Sequence, residues 1–95
     1  MLPTHRPPTH PGEVLQEEFL KPLEISQSEL ARHLGCDAKD INRIIKGHVG
    51  LSAAMAWRLA DVFRTSPEFW MNLQNNYTLW KQRPRRRFSP LVKAG

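Results

Sequence analysis

The side chains of this chain that can do chemistry are hydrogen-bond donors and cations, not nucleophiles or metal ligands. Its four histidines, His5, His10, His33 and His48, never fall four residues apart on one helix, so no metal site is expected. Cys36 is the single cysteine. It precedes a helix start that can lower a thiol pKa, but no paired base accompanies it, and a plain turn thiol is the expected reading. No Ser/His/Asp order, Gly-rich phosphate loop or carboxylate pair suited to acid–base work occurs. An enzyme, a cofactor and a small-molecule substrate are therefore not expected.

What remains is concentrated in residues 26–52. Ala38, Lys39, Asn42 and Arg43 fall on one face of a short helix whose other face is isoleucine. A guanidinium such as Arg43 can donate bidentately to guanine, the Asn42 carboxamide can pair with adenine, and Lys39 can reach guanine or phosphate. Gln27, beside the free amides of a helix start, can hold a phosphate. Lys46, His48 and Ser52 fall where the chain would pass the other backbone strand. This is the chemistry of reading the DNA major groove.

Those side chains need elements to hold them. Residues 1–10, with their prolines, read as an extended arm. A first helix is expected from Pro11, because proline suits the first turn and Glu13 the positive helix end, with Leu15, Phe19 and Leu20 inward and Pro22 as its stop. Ser26 with Glu29 three residues on predicts a capped second helix through Leu30, Ala31 and Leu34, closed by Gly35. Asp37, with Asp40 as its partner, caps a third helix carrying Ile41, Ile44 and Ile45, which Gly47 ends. Ser52 opens a fourth, whose stripe is Met55, Ala56, Leu59, Ala60, Val62 and Phe63. Ser66-Pro67-Glu68 starts a fifth that runs toward Pro84 through Phe69, Trp70, Leu73, Tyr77 and Trp80. No strand alternation of useful length appears, so the expected class is all-α. The second and third helices have the spacing of a helix-turn-helix: Ala31 permits close crossing, Gly35 the turn, and the isoleucines lock the third helix to the core. The same spacing also fits a plain αα-corner, and both readings stand at this point.

Composition narrows the class further. Ninety-five residues, 40% of them apolar, suffice for one modest core and not for a core plus an enclosed pocket. No run approaches the roughly 18 apolar residues of a membrane span, and the N-terminus lacks the apolar stretch of a signal peptide. With one cysteine, these features point to the cytoplasm. The net charge of +5 is unevenly spread: residues 1–68 carry all nine acids against eight bases, and residues 69–95 carry six bases and no acid. Glu13, Glu17, Glu18, Glu24 and Glu29 face only Lys21 within residues 13–29. A basic region suits nucleic acid, and an acidic one suits a cationic partner. Three parts are expected: an arm at 1–10, a helical domain at 11–82 and a basic tail at 83–95. The tail, with Arg85, Arg86 and Arg87 beside Phe88, is read either as solvated or as lying on DNA backbone. The fifth helix looks apolar on two sides, Phe69, Leu73 and Trp80 against Trp70 and Tyr77. A small bundle buries only one of them, so a homodimer seam is expected on these five residues.

From His10 to about Trp80 the chain resembles the HigA (VapI-like) antitoxins of bacterial higBA toxin–antitoxin modules, within the phage-repressor-like helix-turn-helix proteins. The residues that carry the resemblance are HPGEVLQEEFLKPL (10–23), SQSELARHLG (26–35), INRIIKG (41–47), RLA (58–60) and SPEFWMNLQ (66–74). The last block, a capped helix opening on a Phe-Trp pair, is the most specific. The resemblance implies a five-helix lambda-repressor-like domain and a dimer that binds operator DNA and represses its own operon. It also implies neutralisation of a HigB toxin, a RelE-like, ribosome-dependent mRNA endonuclease. A stand-alone transcriptional regulator with no toxin is the alternative. The chain departs from the family's habit at Asp40, where a base is frequent, and at Arg64, where a glycine is usual. An RNA-cleaving toxin should be cationic, so it is expected on Glu13, Glu17, Glu18 and Glu24, away from the third helix.

Overall fold

Each helix starts where a side chain can satisfy its free amides. The computed structural model describes residues 7–92, which form five helices and no strand. Helix α1 spans residues 11–23, α2 Gln27–Leu34, α3 Ala38–Ile45, α4 Ala53–Phe63 and α5 Pro67–Lys81. The hydroxyls of Ser26, Ser52 and Ser66 accept from the amides of Glu29, Met55 and Phe69 at 3.0, 3.1 and 3.0 Å, and Asp37 Oδ1 accepts from Lys39 N at 3.0 Å. Asp40 is exposed, and its role as partner in that cap is confined to a backbone bond, its amide donating to the Asp37 carbonyl at 3.0 Å. Gly35 closes α2 at φ 71°, in the left-handed region that glycine enters without penalty. Residues 1–6 of the arm, with His5, and Lys93 of the tail lie outside the described residues.

Pro22 does not stop α1. The helix runs one residue past it, and its middle, Leu15–Leu20, is a π-helical stretch in which the Lys21 amide donates to the Gln16 carbonyl. The wider turn gives the proline ring room at the carbonyl four residues back, where an ordinary helix would clash. The stop comes instead at Glu24, left-handed at φ 56°.

The core is a single cluster. Leu15 and Leu20 of α1, Leu30 and Ala31 of α2, Ile41 and Ile44 of α3, and Leu59 of α4 close around Trp70 of α5. Trp70 has no exposed surface, and its Nε1 donates to Thr65 Oγ1 at 2.7 Å. Its ring packs against Phe19 and Phe69, with centroids 5.2 and 5.1 Å apart. Phe19 thus meets the start of α5, while His10, just before α1, meets Tyr77 near the end of α5. The two helices are antiparallel neighbours. This corrects the expectation that Trp70 belongs to a homodimer seam. The inward face of α5 centres on Trp70, Gln74 and Tyr77, with Met71 and Leu73 packed against the core beside them, and a side chain with no accessible surface cannot form a seam between subunits. Tyr77 is half-buried under His10, and of the remaining seam candidates Phe69 is exposed while Leu73 and Trp80 are half-buried.

One backbone contact sets how α3 is held. Gly12 lies against the backbone of Ile44 and Ile45, so that a Cβ there would sit on the Ile44 carbonyl. Arg64 ends α4 in the left-handed region at φ 56°. Among the described residues no helix is long and apolar enough to cross a membrane.

Candidate nucleic-acid interface

Burial of Ile41 and Ile44, 0% and 5% exposed, fixes the rotation of α3 and leaves Lys39 and Arg43 outward. Ala31, 2% exposed, brings α2 close enough for its first turn to stand beside the outer face of α3. The Cys36 amide donates to the Ala31 carbonyl at 2.9 Å and holds the turn between them. Gln27, Ala38, Lys39, Asn42 and Arg43 line one open groove of about 390 Å³ with Ser28. Five of the eight expected DNA contacts are therefore brought together. Ser28 was not anticipated; its exposed place in the first turn of α2, next to the capping Ser26, was the available signal.

Inside the groove, Asn42 Nδ2 donates to Gln27 Oε1 at 3.0 Å. One amide hydrogen of Asn42 is committed to this bond. The other, with Oδ1, remains free, and that is the donor–acceptor pair needed for the major-groove edge of adenine. The free Gln27 amide remains available to a phosphate.

Lys46, His48 and Ser52 stand outside this groove. Lys46 lines a groove of about 550 Å³ with His10, Glu13, Gln16, Glu17, Tyr77 and Lys81. His48 lines an adjoining one of about 430 Å³ whose other wall is α5, with Gln74, Thr78, Lys81 and Gln82. Ser52 is exposed but accepts from the Met55 amide as the cap of α4. Lys46 and His48 form a flank beside α5, outside the reading groove, and Ser52 lines neither of their grooves.

Sequence reasoning missed two residues that hold this flank. Gln74 Oε1 accepts from the Leu51 amide at 2.7 Å, and its Nε2 donates to Thr78 Oγ1 at 2.9 Å, tying the α3–α4 loop to α5. His10 caps α1, its Nδ1 accepting from the Gly12 amide at 2.9 Å, and its ring meets Tyr77 edge-on at 4.7 Å. Burial lowers the His10 pKa below the ordinary 6.5, and Lys81 pushes the same way; a backbone hydrogen bond with Val49 and the charge of Glu13 oppose them. The signal for His10 was a ring nitrogen immediately before Pro-Gly at a helix start. For Gln74 no local pattern pointed to its partner, which lies 23 residues away.

The acidic residues divide. Glu13, Glu17 and Glu18 line a shallow groove of about 240 Å³ with Thr9 and Val14. Glu24 is at the opposite end of α1 and does not join them. Nor is the acidic start of α1 remote from α3, as expected: Glu13 and Glu17 share the larger groove with Ile45 and Lys46. The cause is the close approach of α1 to the end of α3 at Gly12. Glu17 is paired with Lys21 at 2.9 Å, and both are about half exposed, so the pair contributes little stability. Among the described residues no group of three or more His, Cys, Asp or Glu could hold a metal ion.

The helix-turn-helix family profile matches residues 17–70, more than half of the chain. Antitoxin HigA-1 of Vibrio cholerae is 39% identical over 90% of this chain and 80% of its own length. The chain belongs to the HigA-like helix-turn-helix family. Its members are DNA-binding regulators and antitoxins, not enzymes. An uncharacterized HTH-type transcriptional regulator of Haemophilus influenzae is 43% identical over 87% of this chain and 78% of its own. Among solved structures, Pseudomonas aeruginosa antitoxin HigA with the higBA promoter is 42% identical and superposes with a TM-score of 0.81 over 90% of this chain and 99% of that one. The five-helix class expected from the caps and stripes is thereby shown.

Proposed function

We propose that this protein is the antitoxin of a type II toxin–antitoxin module, binding operator DNA as a dimer to repress its own operon. The observation that carries this reading is the groove in which Gln27, Asn42 and Arg43 stand together on the outer face of α3. Support comes from a relative solved with promoter DNA whose fold spans nine-tenths of this chain. Asn42 and Arg43 read base edges, Lys39 and Gln27 hold base or phosphate, and Lys46, His48 and Ser52 meet the flanking backbone. The fold supplies one recognition helix per chain, and two half-sites about 34 Å apart need two. The dimer forms through the side of α5 bearing Phe69, Leu73 and Trp80, and the protein acts in the cytoplasm.

Its toxin is a HigB-like mRNA endonuclease, docking on the acidic groove of Glu13, Glu17 and Glu18. A surface that attracts RNA is cationic and complements those three carboxylates. The H. influenzae relative, described only as a regulator, favours a second reading, a stand-alone regulator without a toxin. One experiment separates them: the toxin encoded beside this gene is expressed with and without the chain, and growth is followed. Rescue of growth is expected. In the E17K/E18K variant, rescue and toxin affinity should fall while operator binding persists. If the chain binds its operator but no neighbouring product arrests growth, the regulator reading replaces the antitoxin one. Unchanged toxin affinity in the double variant places the neutralising surface elsewhere.

A further inference from the structure

The chain beyond α5 leaves the body beside the flank just described. Lys81 and Gln82, the last residues before it, line one groove with Gly47 and His48, and Lys81 shares the other with Lys46. The root is held: Arg83 lies over the Trp80 ring at 4.3 Å and donates to the Trp80 carbonyl at 2.6 Å. Pro84 follows, and residues 84–92 form no helix and are exposed throughout. Phe88, Leu91 and Val92 are 94%, 103% and 81% exposed, so this segment has no partner within its own subunit. It carries Arg85, Arg86 and Arg87 and no acid.

We infer that this segment is a second DNA-reading element, an extended arm that lays its arginines in the minor groove flanking each operator half-site and favours A·T-rich flanks. The inference rests on the operator reading proposed above. Reach supports it. Extended residues span at most about 3.3–3.6 Å each, so Arg85–Arg87, three to five residues past Gln82, extend roughly 10–18 Å from the α3 flank. With α3 in the major groove, the neighbouring minor groove lies half a helical repeat away, roughly 17 Å. Shape agrees as well. A helix is too wide for a groove about 6 Å across, whereas an extended strand of chain enters it.

Residue type favours the groove over the phosphates alone. All three cations are arginine, whose weakly hydrated guanidinium gives up water more readily than an ammonium. Narrow A·T-rich minor grooves concentrate negative potential and draw such groups in. Phe88 follows directly, an apolar side chain of the kind that wedges at base steps in minor-groove complexes. A cationic toxin would repel this segment, and although Glu13 and Glu17 share a groove with Lys81, the segment stands exposed throughout and is not laid on them.

The test uses the full-length chain and a full-length R85Q/R86Q/R87Q variant. Each is titrated at fixed salt against DNA carrying one operator with either A/T-rich or G/C-rich flanks. The wild type should bind the A/T-flanked DNA roughly tenfold more tightly. The variant should lose that preference and shift both affinities toward the weaker value, with a salt slope smaller by up to about 0.9 per lost contact. The melting temperature should not change, because the three side chains touch nothing in the fold. A wild type indifferent to flank composition overturns the inference, as does a variant that keeps the preference. If the variant weakens equally on both flanks, the arm holds phosphates only and groove reading is overturned. Absence of operator-specific binding by the wild type on either flank would sink the operator reading itself, a separate and recognisable failure.

Discussion

Replacing Gln27 and Asn42 singly and together tests whether one side chain of the reading groove is positioned by another. The Asn42–Gln27 hydrogen bond, 3.0 Å long and half-buried, spans α2 and α3. Asn42→Ala removes a bidentate base contact worth about 1–3 kcal/mol, and a two-fold dimer loses it twice. Gln27→Ala leaves that contact possible but frees the Asn42 amide to rotate, so ordering it on binding costs about 0.5–1.5 kcal/mol per subunit. It also deletes any phosphate bond that Gln27 makes itself. Once Asn42 is gone, the ordering part of the Gln27 effect has nothing to act on. The double variant should therefore be less damaged than the sum of the singles, by about 1–3 kcal/mol per dimer, or roughly five- to 150-fold in Kd. The measurement is a fluorescence-anisotropy titration of four proteins on one operator duplex at one salt concentration, with thermal melts as controls. Effects that add within about 0.3–0.5 kcal/mol would refute the positioning argument. Unchanged affinity in Asn42→Ala would refute the assignment of α3 as the reading helix.

Two backbone positions should respond with opposite signs. Gly12→Ala should destabilise the domain by about 3 kcal/mol or more, because the Ile44 carbonyl it would strike belongs to packed backbone and cannot swing aside. Arg64→Gly should stabilise it by about 0.5–1 kcal/mol, since left-handed strain at φ 56° is relieved and only partly offset by added freedom in the unfolded chain. Chemical denaturation checks both. The third expectation concerns pH. The folded pKa of His10 is depressed, chiefly by burial, so its contribution is complete above the unfolded value of 6.5 and is lost as pH falls through the folded pKa. His10→Asn keeps an N-cap that does not titrate, so melting temperatures followed from pH 7.5 to 5 should fall less steeply for the variant than for the wild type. Parallel curves would show that the His10 cap is not a source of the acid sensitivity.

Much of this architecture is legible in local sequence because the deciding forces are local. Ser26, Asp37, Ser52 and Ser66 announce helix starts since each can satisfy an amide two or three residues on, and in the structure each does. The outer face of α3 follows from Ile41 and Ile44 by helical period alone, which is why Ala38, Lys39, Asn42 and Arg43 emerge side by side. Helix α5 is different. At 100° per residue Phe69, Leu73, Trp80, Tyr77 and Trp70 share one arc of roughly 100°, and the period does not say which edge of that arc turns to the core. What chooses is tertiary: the Thr65 hydroxyl that accepts the Trp70 indole and the Phe19 ring that packs on it. Pro22 misleads for a related reason, because the π-helical register of Leu15–Leu20 that accommodates it has no composition of its own.

The site adds a lesson about charge. Read along the chain, acids at the start and bases at the end look like two separate territories, one for a toxin and one for DNA. Folding α1 antiparallel to α5 brings them together, so that Glu13 and Glu17 face Lys46 and Lys81 across a single groove. The carboxylates then temper the basic flank beside α3, so that the surfaces proposed for toxin and for DNA share one electrostatic boundary. This fixes the sign of one effect that sequence left open. In the E17K/E18K variant the lysine at position 17 joins Lys46 and Lys81 in that groove instead of opposing them, so operator affinity should rise, and more steeply at low salt. A cationic toxin seated on the same acids would act in the same direction, covering the carboxylates while placing its own positive surface beside the operator backbone. With the toxin on those acids, toxin and DNA need not exclude one another through charge, and any antagonism between them would be steric.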